Sequence, residues 1–302
     1  MPPPAAATRR PRWQIVVAAG AVAAVLVAGT VAVSRGGDDD AAGDCLSEVA
    51  RHLPADTTVV NGTDFERARA ADLDVDGSVD QLFDVVVETS LHLDPLTVRL
   101  AQVGDDTVST GFGIEEMRCW AGDWDTFVSR GSFDDEAVAE SDAGADGQVD
   151  VRGGLLAHSP DDDPESLLTA SPVDAPARTA LVDRVDRLGA VTFSGLAAGE
   201  VGGDEVWTGL GLARGDGWEL VVVWGFADPD QAAAGRDRAL DALEEGVVPE
   251  MIDGDPADLL QQDGPSLSLR APLDGDAAAW ARPLQMFDPM LTAFGSSEAL
   301  PD

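Results

Sequence analysis

From Ile15 to Val33 the chain runs for 19 residues without a charge, IVVAAGAVAAVLVAGTVAV. Coiled as an α-helix, that run spans about 28 Å, close to the hydrocarbon thickness of a bilayer. Trp13 stands at its N-terminal end, and Arg9, Arg10 and Arg12 precede it with no acid among them. Interfacial aromatics and flanking arginines of this kind place the N-terminus in the cytoplasm. The run exceeds the roughly 7–15 apolar residues of a cleaved signal peptide. A cleavage site near Ala28-Gly29-Thr30 is the alternative to a retained anchor. Lipoprotein attachment is excluded, because Cys45 lies 12 residues beyond the run and follows Asp44. The expected layout is a cytoplasmic tail at 1–13, a single-pass transmembrane signal anchor at 14–34 and an acidic linker at 35–44. An extracytoplasmic domain then begins at Cys45. The expected location is therefore the cell membrane, with the membrane itself bound through residues 15–33.

Charge agrees with that layout. The 302 residues carry 56 acids against 19 cations, all arginine, for a net charge of −37. Three of those arginines precede the span, so 16 cations and 56 acids lie beyond it, a net of −40 outside the membrane. Such a surface excludes nucleic acid as a partner, since phosphate contacts need clustered cations, and it excludes docking on anionic lipid. The missing lysine and tyrosine, and the single asparagine, Asn61, read as codon bias toward GC-rich genomes.

Cys45 and Cys119 are the two cysteines. Outside the membrane an isolated pair of this kind usually forms a disulfide; two buried thiols are the alternative. No CxxC or Cys/His spacing suggests redox catalysis or structural zinc.

The expected fold class is α+β, a mainly antiparallel sheet with helices packed on it. Strands are expected at 57–61, 97–103, 107–112, 126–130, 149–152, 155–158, 191–194, 205–213, 218–225 and 266–270. Helices are expected from Asp64 to Ala71, over 80–92, over 134–141, over 229–245 behind Asp228 and Pro229, and over 276–293. A strand ending in glycine runs into an Asp-led helix at FVSRGSFDDEAVAES (127–141), and again at VVVWGFADPDQAAAGRD (221–237). The recurrence suggests two tandem α+β units, 45–170 and 171–302; one undivided domain is the alternative.

The stretches LPADTTVVNGTDFERARA, GIEEMRCWAGDWDTFVSRGSFDDEAV and FADPDQAAAGRDRALDALEEG, behind an anchor and an acidic linker, resemble uncharacterised exported or membrane-anchored proteins of GC-rich actinobacteria. The resemblance implies an envelope setting and no known reaction.

One motif invites a metal. Asp72, Asp74, Asp76 and Asp80 stand where an EF-hand loop places oxygen ligands, with Gly77 and Val79 at the glycine and apolar positions. Phe83 occupies the position of the bidentate acid, and the carboxylate falls one residue late, at Asp84. These five aspartates read as a weak calcium site or as a solvated acidic loop; calcium is the one cofactor suggested. Trp120 and Trp124 in CWAGDW either stack on a sugar or cover a core beside the disulfide. His52, His92 and His158 lie in no metal-binding spacing, and no GxSxG, SxxK or P-loop sequence is present. The sequence therefore suggests a non-enzymatic protein acting by binding or interaction in the envelope. A carrier or sensor of a small apolar ligand is the second reading, and a hydrolase without a recognisable motif the third. The partner is expected to be an envelope protein or a small apolar ligand.

Overall fold

The computed structural model describes residues 45–73, 75, 110–123, 125–160, 163–169, 175–197, 205–245 and 253–273. The apolar run 15–33, four of the five candidate metal ligands and the helices expected over 80–92 and 276–293 lie outside these residues. So does the strand expected at 97–103. Among the described residues no helix is long and apolar enough to cross a membrane.

In chain order the elements are α1 (Cys45–Ala50), β1 (Val59–Asp64), α2 (Phe65–Ala70), a 3-10 turn (Ile114–Glu116), β2 (Met117–Gly122), β3 (Phe127–Gly131), α3 (Asp135–Glu140), α4 (Asp142–Ala145), β4 (Val149–Arg152) and β5 (Leu155–His158). They continue as α5 (Pro164–Thr169), α6 (Pro176–Arg187), β6 (Ala190–Leu196), β7 (Glu205–Arg214), β8 (Trp218–Phe226), α7 (Pro229–Glu245), α8 (Pro256–Leu259), β9 (Leu260–Asp263) and β10 (Ser266–Pro272). The fold is α+β. Among the described residues ten strands form one antiparallel sheet in the order β4-β5-β3-β2-β1-β6-β7-β8-β10-β9.

Local chemistry explains most boundaries. Gly153 and Gly154 both take positive φ, 60° and 78°, the backbone that a two-residue hairpin between β4 and β5 demands. The Asp134 carboxylate accepts from the amides of Glu136 and Ala137 at the start of α3, and the Asp228 carboxylate does the same for Asp230 and Gln231 of α7. Such caps satisfy amides that the first helical turn leaves unpaired. Residues 110–112, the described part of the strand expected at 107–112, run as irregular chain.

The two halves of the sheet mirror one another. Reading outward from the centre, the first half runs β1, β2, β3, β5, β4 and the second β6, β7, β8, β10, β9. In each, a helix precedes the central strand and another follows the third strand. The halves join at a seam where β1 pairs with β6 over Val59↔Leu196, Val60↔Gly195, Asn61↔Ser194, Gly62↔Phe193 and Thr63↔Thr192.

One face of the sheet carries a single core that crosses the seam. Leu46 and Val49 of α1 and Leu181, Val182 and Val185 of α6 pack on Val60, Ala121, Phe193 and Val223. Two seam glycines make this approach possible: a Cβ at Gly62 would lie 2.7 Å from the Phe193 ring, and one at Gly195 2.5 Å from a Leu181 methyl. The opposite face carries two cores. One gathers Trp120, Phe127 and Leu156 under α2, α3 and α4; the other gathers Leu210, Val222 and Trp224 under α7. Partly buried Trp218 packs against both.

Candidate functional site

The sequence-derived candidates come out unevenly. Cys45 and Cys119 form the expected disulfide, with Cα atoms 6.1 Å apart, both sulfurs inside the core. It fastens the first residue of α1 to the middle of β2. Of the acidic loop only Asp72 is described; it is exposed, with a left-handed φ of 59°. Asp74, Asp76, Asp80 and Asp84 lie outside the described residues. No group of three or more metal-ligating side chains occurs among the described residues. Trp120 is 1 % exposed and meets Phe127 edge-on, with centroids 6.1 Å apart, so its ring is part of the core and offers no face to a sugar; Trp124 lies outside the described residues. Trp207 and Trp224 are buried on their strands, whereas Trp218 is only half-buried. Fully buried His158 stacks on Phe127 at 5.2 Å, and His52 Nδ1 lies 3.1 Å from the Leu167 carbonyl. His92 lies outside the described residues.

Buried polar groups gather instead along the seam. On the α1–α6 face, Ser47 donates to the Asp183 carboxylate at 2.5 Å. Buried Arg178, at the start of α6, donates to the carbonyls of Leu53 and Pro54, and burial lowers its pKa. In α2, just after β1, Arg67 links both halves. Its Nη1 lies 2.7 Å from Asp186 Oδ1 and donates to the Ala190 carbonyl at 3.0 Å, while its Nε lies 3.3 Å from Asp64. Burial pushes the Asp64 carboxyl above its ordinary value, against the opposing pull of the Arg67 amide and charge.

On the opposite face, strand alternation puts Val59, Asn61 and Thr63 beside Leu196, Ser194 and Thr192. This strip separates the two cores of that face. At its closed end Thr63 Oγ1 donates to Thr192 Oγ1 at 3.1 Å, and both residues are buried. At its other end Val59 is 36 % exposed and Leu196 half-buried. Between them sit Asn61, 3 % exposed, and half-buried Ser194. The two outer neighbours of this pair are Gly122, opposite Asn61, and Leu210, opposite Ser194.

No family model, curated protein or solved structure matches this chain. Its site must therefore be read from its own geometry. Asn61, Ser194 and the Asp64–Arg67–Asp186 group are all absent from the sequence-derived candidates. The available signal was the composition: one asparagine in 302 residues, set between valines and Gly62 in a β-branched run.

Proposed function

We propose that the chain is a single-pass envelope protein, anchored through residues 15–33, that works outside the membrane by binding rather than by catalysis. The Cys45–Cys119 disulfide, enclosed in the core, carries this reading, because such bonds form and persist in oxidising compartments. The uncharged run behind three arginines, the net −40 beyond it and the resemblance to exported actinobacterial proteins support the same topology. The mirrored strand orders support reading 45–170 and 171–302 as tandem α+β units.

A binding role is supported by the use made of the buried polar groups. Ser47, Arg178 and Arg67 all hold carbonyls or carboxylates of neighbouring elements, which is structural work. The charge of the domain keeps it hydrated and repels other acidic surfaces, so a neutral or cationic partner suits it.

The test is a pair of measurements in cells. An alkaline phosphatase fused after residue 302 should be active, and non-reducing peptide mass spectrometry should recover the 45–119 cross-link. An inactive fusion together with freely alkylated cysteines would overturn the reading.

A further inference from the structure

We infer that the seam is a homodimer-type interface between two copies of one unit, joined in a single chain about a pseudo-twofold axis that runs perpendicular to the sheet through the Asn61–Ser194 pair, and that residues 64–116 are an insertion carried by the first copy alone. The inference rests on the tandem-unit reading above and adds its axis, its residue matches and its insertion.

The strand registers carry it. One row of paired residues crosses all ten strands. From the centre, Asn61 leads through Gly122, Phe127 and His158 to Val149 at one edge. Its partner Ser194 leads through Leu210, Val222 and Leu269 to Leu260 at the other. Counting from this row gives each strand residue of one half a twin in the other. A twofold perpendicular to the sheet relates two antiparallel strands in this way, and it is the symmetry of a self-complementary dimer.

Features that a sheet does not require recur at twin positions. The β2–β3 ladder slips between Met117 and Cys119, and the β7–β8 ladder slips between their twins, Glu205 and Trp207. Such bulges are specific to a strand pair. Both outer hairpins turn in two residues, and the first turn residues, Gly153 and its twin Gly264, take φ of 60° and 58°. Gly62 and its twin Gly195 are the two glycines that let Phe193 and Leu181 approach the seam. The layers obey the same axis, which keeps every element on its own face: α1 and α6 share one face of the sheet, and α3 and α7 pack on the other. Cys119 and its twin Trp207 are both buried in the core that crosses the seam. The match also moves the recurrence read in the sequence by one residue, since Gly131 is the twin of Phe226 and not of Gly225.

Between their first two strands the copies differ. Thr63 and Leu196 are twins, as are Met117 and Glu205, so residues 64–116 stand where the second copy has only 197–204.

The experiment replaces 64–116 in the full-length chain by a second copy of 197–204. It adds Asp186→Leu, because Arg67 leaves with the insertion. In detergent micelles the shortened chain should keep one cooperative melting transition, and non-reducing peptide mass spectrometry should recover the 45–119 cross-link. Loss of the transition together with freely alkylated cysteines overturns the insertion. Two further variants read the axis in a chain of natural length. Val59→Cys with Leu196→Cys, and Thr63→Cys with Thr192→Cys, are pairs directly opposite each other and equally far from the axis, so both should close a disulfide to the same final extent on oxidation. Closure of one pair without the other, or of neither, overturns the axis. The phosphatase fusion and the cross-link of the unaltered chain stand apart from these results, so failure here refutes the paired units and leaves the envelope topology untouched.

Discussion

Removing the disulfide tests how the first helix is held. The perturbation is the double variant Cys45→Ala, Cys119→Ala, which avoids leaving one thiol alone in the core. The two cysteines are separated by 74 positions in the chain. For a closed loop of that length the chain-entropy relation gives about 15 cal/mol/K, or about 4.5 kcal/mol at 25 °C. Packing will not offset this loss. The six residues of α1 are too few to be helical alone, and the helix depends on burying Leu46 and Val49 against the sheet. Urea unfolding followed by tryptophan emission suits the assay, since Trp120, adjacent to Cys119, is buried. The variant should unfold at lower urea, with a slope equal to or steeper than that of the parent because its unfolded state is less confined. Expected destabilisation is about 3–5 kcal/mol. A loss below about 1 kcal/mol at unchanged slope would refute the reasoning, for it would mean that the unfolded chain already keeps α1 beside β2.

Arg67→Met should destabilise by about 3–5 kcal/mol, because it leaves Asp186 and Asp64 enclosed without their cation; adding Asp186→Leu should recover part of the loss in the same denaturation assay, and no recovery would argue against uncompensated charge as the cause. Asp64 should make folding pH-dependent in an unusual direction. Its pKa is raised by burial above 3.8, so between those two values the folded chain keeps a proton that the unfolded chain releases. Its contribution therefore strengthens folding as pH falls and is lost as pH rises through the raised value. Asp64→Asn retains the cap on α2 and removes the titration, so the stability of the parent relative to this variant should grow from about pH 7 to about pH 4; parallel curves would refute it. Gly195→Val should cost about 1–3 kcal/mol by displacing Leu181 of α6, and a melting temperature equal to that of the parent would show that the helix seat is not tight.

The parts legible in the sequence are those set by neighbours in the chain. The hairpin around Gly153-Gly154, the strands meeting at 214–218 and the helix behind Asp228-Pro229 follow from turn chemistry, alternation and caps, and all three are present. The disulfide was legible because two cysteines leave one pairing. Other elements carried weaker signals. In α6 the apolar residues Leu181, Val182 and Val185 have helical spacing behind Pro176, but they sit beside a Pro/Asp-rich stretch, and no element is expected between 159 and 190. In β2 the run MRCWAG reads as an aromatic cluster around a cysteine. The seam was not legible at all, since β1 and β6 lie more than a hundred residues apart and nothing local specifies their register. For the same reason Asn61 looked like a trace of codon bias, since only the fold places Ser194 opposite it.

The covalent stitch between α1 and β2 also fixes a path for mechanical load. Tension arriving along the chain from its N-terminal side reaches Cys45 before any hydrogen-bonded element of the described domain. The sulfur bridge hands it directly to Cys119 in the interior of the sheet. The stretch between them, including α1 and β1, is bypassed. Pulling therefore loads the sheet from β2 outward, and the seam that holds Asn61 against Ser194 does not have to bear force on its β1 side through α1. Reducing the bridge would reroute the same pull through α1 and into β1, turning the seam into the first joint to be stressed.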